Sequence, residues 1–186
     1  MSSATQQVQE VLNDDLLLIT QVRDGNARAF ETLYRRFKQP IYYFCVRMIE
    51  DSMVAEDIFQ DVFIKCYEQI RQGAAITNIK SYLFTSARNR CLNTIRDRKH
   101  SYQLDEISDT LSGHEQEDFD VTENLQMALQ KLPPMNREAF LLCEYEGYSY
   151  EEAAGLTDVP VSTVRKRIFR ARQKLRQMLE RRLEAR

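Results

Sequence analysis

Arg165, Lys166, Arg167, Arg170, Arg172, Lys174, Arg176, Arg181, Arg182 and Arg186 crowd the end of the chain, opposed there only by Glu180 and Glu184. Cations at this density neutralise phosphates, and an Arg near the exposed start of a helix can read a guanine edge in the major groove. Phe169, set among them, can touch a thymine methyl. Other chemistries lack their residues. Cys45, Cys66, Cys91 and Cys143 are scattered without a CxxC pair, and His100 and His114 stand alone. The cysteines therefore read as buried reduced thiols, and no metal or other cofactor is expected. Clustered carboxylates with metal ligands, a nucleophile elbow and a phosphate-binding glycine loop are all missing, so an enzyme is not expected.

The formal net charge of −2 conceals a segregation. Asp105, Glu106, Asp109, Glu115, Glu117, Asp118, Asp120 and Glu123 form an acidic stretch without a single Lys or Arg. The basic run follows it. Such asymmetry says more about partners than the net value does.

The elements that must position these residues are helical. With 5 Gly and 4 Pro in 186 residues, long helices with short connections are expected rather than a many-stranded sheet. A hydrophobic content of 43% supports a buried core. No apolar run is long enough for a bilayer, and Met1 to Glu10 lack a secretory layout, so a cytoplasmic protein without membrane insertion is expected.

Residues 1–12 read as a flexible N-terminus and 13–99 as a helical bundle. Within the bundle, Leu16, Leu17 and Ile19 open a helix that Gly25-Asn26 breaks. Phe30, Leu33, Tyr34 and Phe37 resume at helical spacing, and Pro40 permits a new start. Glu50-Asp51-Ser52 caps a helix from Met53 to Arg71. Its Phe59, Phe63, Cys66 and Ile70 share an apolar side, and Asp57, Asp61, Lys65 and Glu68 a polar one. A last helix, Ile79 to Arg98, carries Tyr82, Leu83, Ala87, Cys91 and Ile95. Residues 100–121 read as a flexible acidic linker. Residues 122–186 form a second helical module, interrupted at Pro133-Pro134, at Glu146-Gly147 and again between Thr157 and Pro160.

The end of that module has the pattern of a helix-turn-helix. Ser149 and Glu152 match a capping box, Ala153-Ala154 allow close packing, and Thr157-Asp158 supply a polar turn. Pro160 pins the chain, and Ser162 or Thr163 can cap the second helix. Val164, Ile168, Ala171 and Leu175 make its inward stripe, leaving Arg165, Lys166, Phe169 and Arg172 elsewhere. On spacing alone, a helical hairpin with a solvated basic face remains open.

From Pro160 through Val161-Ser162-Thr163-Val164-Arg165-Lys166-Arg167-Ile168-Phe169-Arg170-Ala171-Arg172, the chain resembles the recognition-helix signature of extracytoplasmic-function sigma factors, the short fourth group of the sigma-70 family. Leu132 to Phe140 and Gly147 to Ala154 resemble the rest of that family's region four. Asp57 to Tyr67 is similar to its core-binding helix in region two, Gly25 to Tyr34 to that region's opening, and Tyr82 to Asn93 to its minus-ten reader. Asp158 stands where the family often has Gly, and the loop Gln72 to Asn78 lacks the aromatic and acidic residues that many members carry.

The resemblance implies an all-α chain of two small helical domains, a sigma region two bundle and a region four helix-turn-helix, joined by the flexible acidic linker. It implies binding to the clamp and flap regions of core RNA polymerase and to promoter DNA, with an anti-sigma factor as regulator. Asp57, Gln60, Asp61 and Lys65 are then expected to bind core polymerase. Arg88, Asn89, Arg90, Arg96 and Lys99 would bind the minus-ten element, Asn89 near a flipped base. Ser162, Thr163, Arg165, Lys166, Phe169 and Arg170 would bind the minus-thirty-five element. Arg167, Arg170 and Arg172 fit phosphates or intramolecular pairs. The competing function is a polymerase-independent helix-turn-helix regulator, which leaves Asp57 to Tyr67 unexplained.

Overall fold

The computed structural model describes residues 3–104 and 121–184, with side chains at 13–98, 125–178 and 180. The described residues contain helices and no strand, as the all-α expectation requires. They group into two compact units, Met1–Val46 with Asp51–Asn89, and Arg47–Glu50 with Arg90–Arg186.

The first unit is built on α1 (Ser3–Arg23), α2 (Ala27–Met48), α3 (Ser52–Arg71) and the beginning of α4 (Ile79–Leu104). Helix α1 starts at Ser3, inside the segment expected to be flexible; Gln6, Gln7 and Glu10 are good helix formers and nothing there interrupts the helix. Gly25 makes the turn into α2 with a φ of +98°, and a Cβ there would crowd Arg71. The Arg71 guanidinium donates to the Arg23 carbonyl at 2.9 Å, and Arg23 donates to the carbonyl of Ala74 at 3.0 Å, tying the ends of α1 and α3 together.

Pro40 does not divide α2, contrary to the sequence reading. Phe37, Ile41 and Phe44 are buried on either side of it. Their packing outweighs the hydrogen bond lost at an interior proline, which costs about 3 kcal/mol in isolation. Asp51 caps α3 as expected, its carboxylate accepting from the amides of Met53 and Val54 at 3.0 and 3.2 Å. The apolar side of α3 is buried through Ile58, Phe59, Val62, Phe63, Cys66 and Ile70. Tyr34 meets Phe63 edge-on at 4.9 Å, and Phe44 meets Phe84 at 5.5 Å, so aromatic contacts join α2 to α3 and to α4. Asp15, buried, pairs with Arg36, which also binds Asp14 at 2.6 Å. Burial raises the Asp15 carboxyl above its ordinary range despite the neighbouring Arg36.

Helix α4 runs past the expected end at Arg98 to Leu104, so the first residues of the expected linker are helical. The remainder of that acidic stretch, 105–120, lies outside the described residues. The second unit continues with α5 (Val121–Gln130), α6 (Pro134–Phe140, prolonged by a π-helical turn Leu141–Tyr145), α7 (Tyr150–Thr157) and α8 (Val161–Glu184). Helices α5, α6 and α7 all pack against α8. Val164, Ile168, Ala171 and Leu175 are buried, as their spacing predicts. Arg137 is buried too and donates to the carbonyls of Gln130 and Leu132 at 2.6 and 3.2 Å, closing the end of α5. Burial pushes its pKa down to about 10.

Cys45, Cys66 and Cys91 are buried, whereas Cys143 is half-buried. No metal-competent cluster occurs among the described residues, and none of their helices is long and apolar enough to cross a membrane.

Candidate nucleic-acid and polymerase interfaces

Helices α7 and α8 form the helix-turn-helix. Ser149 accepts from the Glu152 amide at 3.1 Å while the Glu152 carboxylate accepts from the Ser149 amide at 2.8 Å, completing the capping box. The turn depends on Asp158, which adopts φ 53° and ψ 48° and donates its amide to the Ala154 carbonyl. Asp tolerates this left-handed conformation better than most residues, which explains how it replaces the family's Gly. Thr157 is buried and its hydroxyl donates to Ala153 at 2.6 Å, leaving no hydroxyl group exposed at the turn.

Pro160 then starts α8 at Val161, so Ser162 and Thr163 lie inside the first turn and not at the cap position. The Pro160 carbonyl accepts from the amides of Thr163 and Val164 at 2.8 and 3.3 Å. Proline itself has no amide hydrogen to leave unsatisfied at a helix start.

Around α8, Ser162, Arg165, Lys166, Phe169 and Arg170 are exposed and Thr163 half-exposed. Phe169 is 67% exposed, which no core role explains. Arg165 lies 3.8 Å from Glu151 and over the Tyr150 ring, 5.9 Å from its centroid. The start of α7 therefore holds a cation of α8 near its exposed face. Sequence reading missed Tyr150 and Glu151 as neighbours of Arg165; the capping box, which fixes where α7 begins, was the available signal.

Arg167 is less exposed than that set, and Arg172, though exposed, is hydrogen-bonded to a carboxylate. Arg172 donates to Glu144 at 2.6 Å, and this hydrogen bond raises its pKa. Arg167 is 17% exposed in its side chain and faces the fully buried Glu138 at 3.7 Å. Of the two roles left open for them, both make intramolecular pairs. Burial also pushes the Cys143 thiol, beside Glu144, up to about 11.

In the first unit, Asp57, Gln60, Asp61 and Lys65 are all exposed on one side of α3, opposite the buried Phe59 and Phe63. Ile64 shares that side and is 55% exposed. An apolar residue at that position is absent from the sequence-based set, although its step of four from Gln60 places it there. Gln60 also donates to Glu56 at 3.4 Å.

On α4, Asn89 is exposed and accepts from Arg88 at 2.8 Å. Arg96 is exposed, 3.5 Å from Asp97, and Arg88 and Arg90 are half-buried. The Lys99 side chain lies outside the described residues. Asn93, a step of four from Asn89 and three from Arg96, is exposed on the same side and was missed.

A helical bundle and a basic helix-turn-helix on one chain fit the class of DNA-binding transcription proteins. The comparisons give that class its family. A model of sigma-70 region 2 matches residues 33–101, and a model of sigma-70 region 4 matches residues 122–175. The chain is 31% identical to the RNA polymerase sigma-H factor of Pseudomonas aeruginosa, over 89% of this chain and 94% of that protein. It is also 31% identical to the ECF RNA polymerase sigma factor SigW of Bacillus subtilis, over 87% and 94%. Its structure is similar to that of the sigma factor RpoE of Bartonella quintana, solved with the anti-sigma factor NepR, at a TM-score of 0.68 and 25% identity over 83% of this chain and 98% of that one. The fold is shared with CnrH, solved with the cytosolic domain of CnrY, at a TM-score of 0.69 and 24% identity over 90% and 97%. The chain belongs to the extracytoplasmic-function group of the sigma-70 family. It is an alternative sigma factor, which binds core RNA polymerase and directs promoter-specific initiation.

Proposed function

We propose that the work of initiation is divided between exposed helix faces, with residues 13–99 acting as region two, 122–186 as region four and 100–121 as their acidic tether. The single observation that carries this reading is the contrast on α8 between buried Val164, Ile168 and Ala171 and exposed Arg165, Lys166, Phe169 and Arg170. A helix anchored along one side presents the other to a groove.

Arg165, Lys166 and Phe169 read base edges of the minus-thirty-five element, and Arg170 with Ser162 and Thr163 positions the helix on phosphate. Asn89 bonds an extruded base of the minus-ten element, and Arg88, Arg90, Arg96 and Lys99 follow the backbone. Asp57, Gln60, Asp61 and Lys65 dock on core polymerase, with Ile64 supplying apolar contact at the centre of that face. Transcription is the polymerase's chemistry, and this chain contributes binding and no catalytic group. Such a protein works in the cytoplasm, and an anti-sigma factor regulates it; the similar Bartonella sigma factor was solved in complex with one.

The test separates the faces. Core binding is measured by co-elution, and promoter use by transcription from templates substituted at each minus-thirty-five base pair. Arg165→Ala is expected to keep core binding and to lose discrimination at chosen base pairs. A uniform loss across all templates would contradict base reading by Arg165.

A further inference from the structure

Arg167 is an α8 cation whose surroundings do not suit DNA. Its neighbours in sequence, Lys166 and Ile168, point to opposite fates, one exposed and one buried. Arg167 lies between them at the edge of the packed stripe, its side chain 17% exposed. Facing it on α6 is Glu138, whose side chain is 0% exposed. The guanidinium Nη1 and the carboxylate Oε2 are 3.7 Å apart, longer than a hydrogen bond but within reach of an ion pair.

An isolated buried carboxylate is costly, and a facing cation is the ordinary remedy. Two apolar side chains of similar size would pack α6 on α8 without that cost. What the charged pair adds is direction. Apolar contacts tolerate small rotations and slides, whereas Glu138 rewards only those settings of α8 that keep Arg167 beside it. Arg167 is two residues from Arg165 and two from Phe169, so a change in the helix's rotation moves both reading groups together.

We propose that Glu138 and Arg167 are a positioning pair that fixes the rotation of α8 against α6, and so the register in which Arg165, Lys166 and Phe169 meet the promoter. The pair acts through those side chains and touches neither base nor phosphate. This inference rests on the reading of α8 as the DNA-reading helix.

The experiment uses holoenzyme reconstituted with core polymerase, on a promoter identified by run-off transcription and on its minus-thirty-five base substitutions. Binding is measured over a range of salt concentrations, after thermal melting has shown each variant to be folded at the assay temperature. Arg167→Lys keeps the charge but loses the planar guanidinium that faces Glu138. It is expected to reduce discrimination between the intact and substituted elements by about threefold or more. A merely stabilising pair would scale every template alike and leave those ratios unchanged, which would overturn the proposal.

Replacing both partners by apolar residues, Glu138→Leu with Arg167→Met, removes the buried charge and guards against failure to fold. This double variant is expected to lose discrimination while keeping the wild-type slope of log affinity against log salt. A slope reduced by about one would show that Arg167 contacts phosphate and would overturn the proposal. Arg165→Ala and Phe169→Ala serve as parallel controls for the underlying reading. If neither alters discrimination, α8 does not read bases, and the positioning role falls with it.

Discussion

Helices α3 and α8 are made by the same rule, and on the proposed division they serve different partners. Each buries an apolar stripe at a 3.6-residue period and leaves a charged side exposed. On α3 the exposed side mixes Asp57, Asp61 and Glu68 with Lys65 and Ile64. At the start of α8 it is Arg165, Lys166, Phe169 and Arg170, with carboxylates supplied by other elements through Glu151 and Glu144; farther along, Arg176 pairs with Glu180 of α8 itself. Mixed charge around an apolar residue suits a protein surface, where complementarity sets the register. Uniform positive charge suits phosphate, where binding releases counterions and falls steeply with salt. What a helix face recognises thus follows from the sign and mixture of its exposed charges rather than from how it is anchored.

The greatest effect is expected at the buried thiols of the two units, relative to a free thiol. Burial pushes Cys66 of α3 up to about 12 and Cys143 of the second unit up to about 11. Only the thiolate reacts, so at pH 8 Cys143 should alkylate about a hundredfold more slowly than a free thiol, and Cys66 more slowly still. The sign follows from the upward shift: a free thiol stops gaining rate near pH 9, while Cys143 continues to gain towards pH 11. Mass spectrometry of the timed reaction reads both, and rapid Cys66 alkylation in the folded protein would show that α3 is not anchored as described.

Next in size is the base-reading loss. Arg165→Ala should cost about 1–3 kcal/mol of discrimination at the base pair it reads, with core binding unchanged, measured across substituted templates. The counterpart on α3 is Asp57→Lys, which should weaken core binding by about tenfold or more in a titration while leaving the salt slope of promoter binding unaltered. If Asp57→Lys changed the slope instead, the division between a protein face and a DNA face would fail. The smallest effect is Glu144→Gln, which releases Arg172. Promoter affinity at low salt should rise by up to about threefold and the gain should fade as salt is added, since exposed pairs are weak and screened.

The sequence made the anchoring of both helices legible, because Phe59, Phe63 and Cys66 on one and Val164, Ile168 and Ala171 on the other follow the helical period. The caps at Asp51 and Ser149 were legible for a similar reason, since capping is local. Pro40 was misleading because distant packing partners decide whether an interior proline breaks a helix. The start of α1 at Ser3 and the reach of α4 to Leu104 were misjudged because polar helix formers carry no apolar stripe to mark them. Ile64 and Asn93 could have been found by extending the helical steps from Gln60 and Asn89. Glu138 could not. A glutamate on a helix reads as exposed, and only the folded chain brings Arg167 to it.

The most direct test of the account is run-off transcription with purified core polymerase on a bacterial promoter library, comparing the wild-type chain with Arg165→Ala and Asp57→Lys. Defined start sites are expected only when the protein is added to core polymerase, with an altered set of promoters for Arg165→Ala and loss across the whole set for Asp57→Lys that excess protein restores. The same promoter set at the same relative strengths from both variants would contradict it.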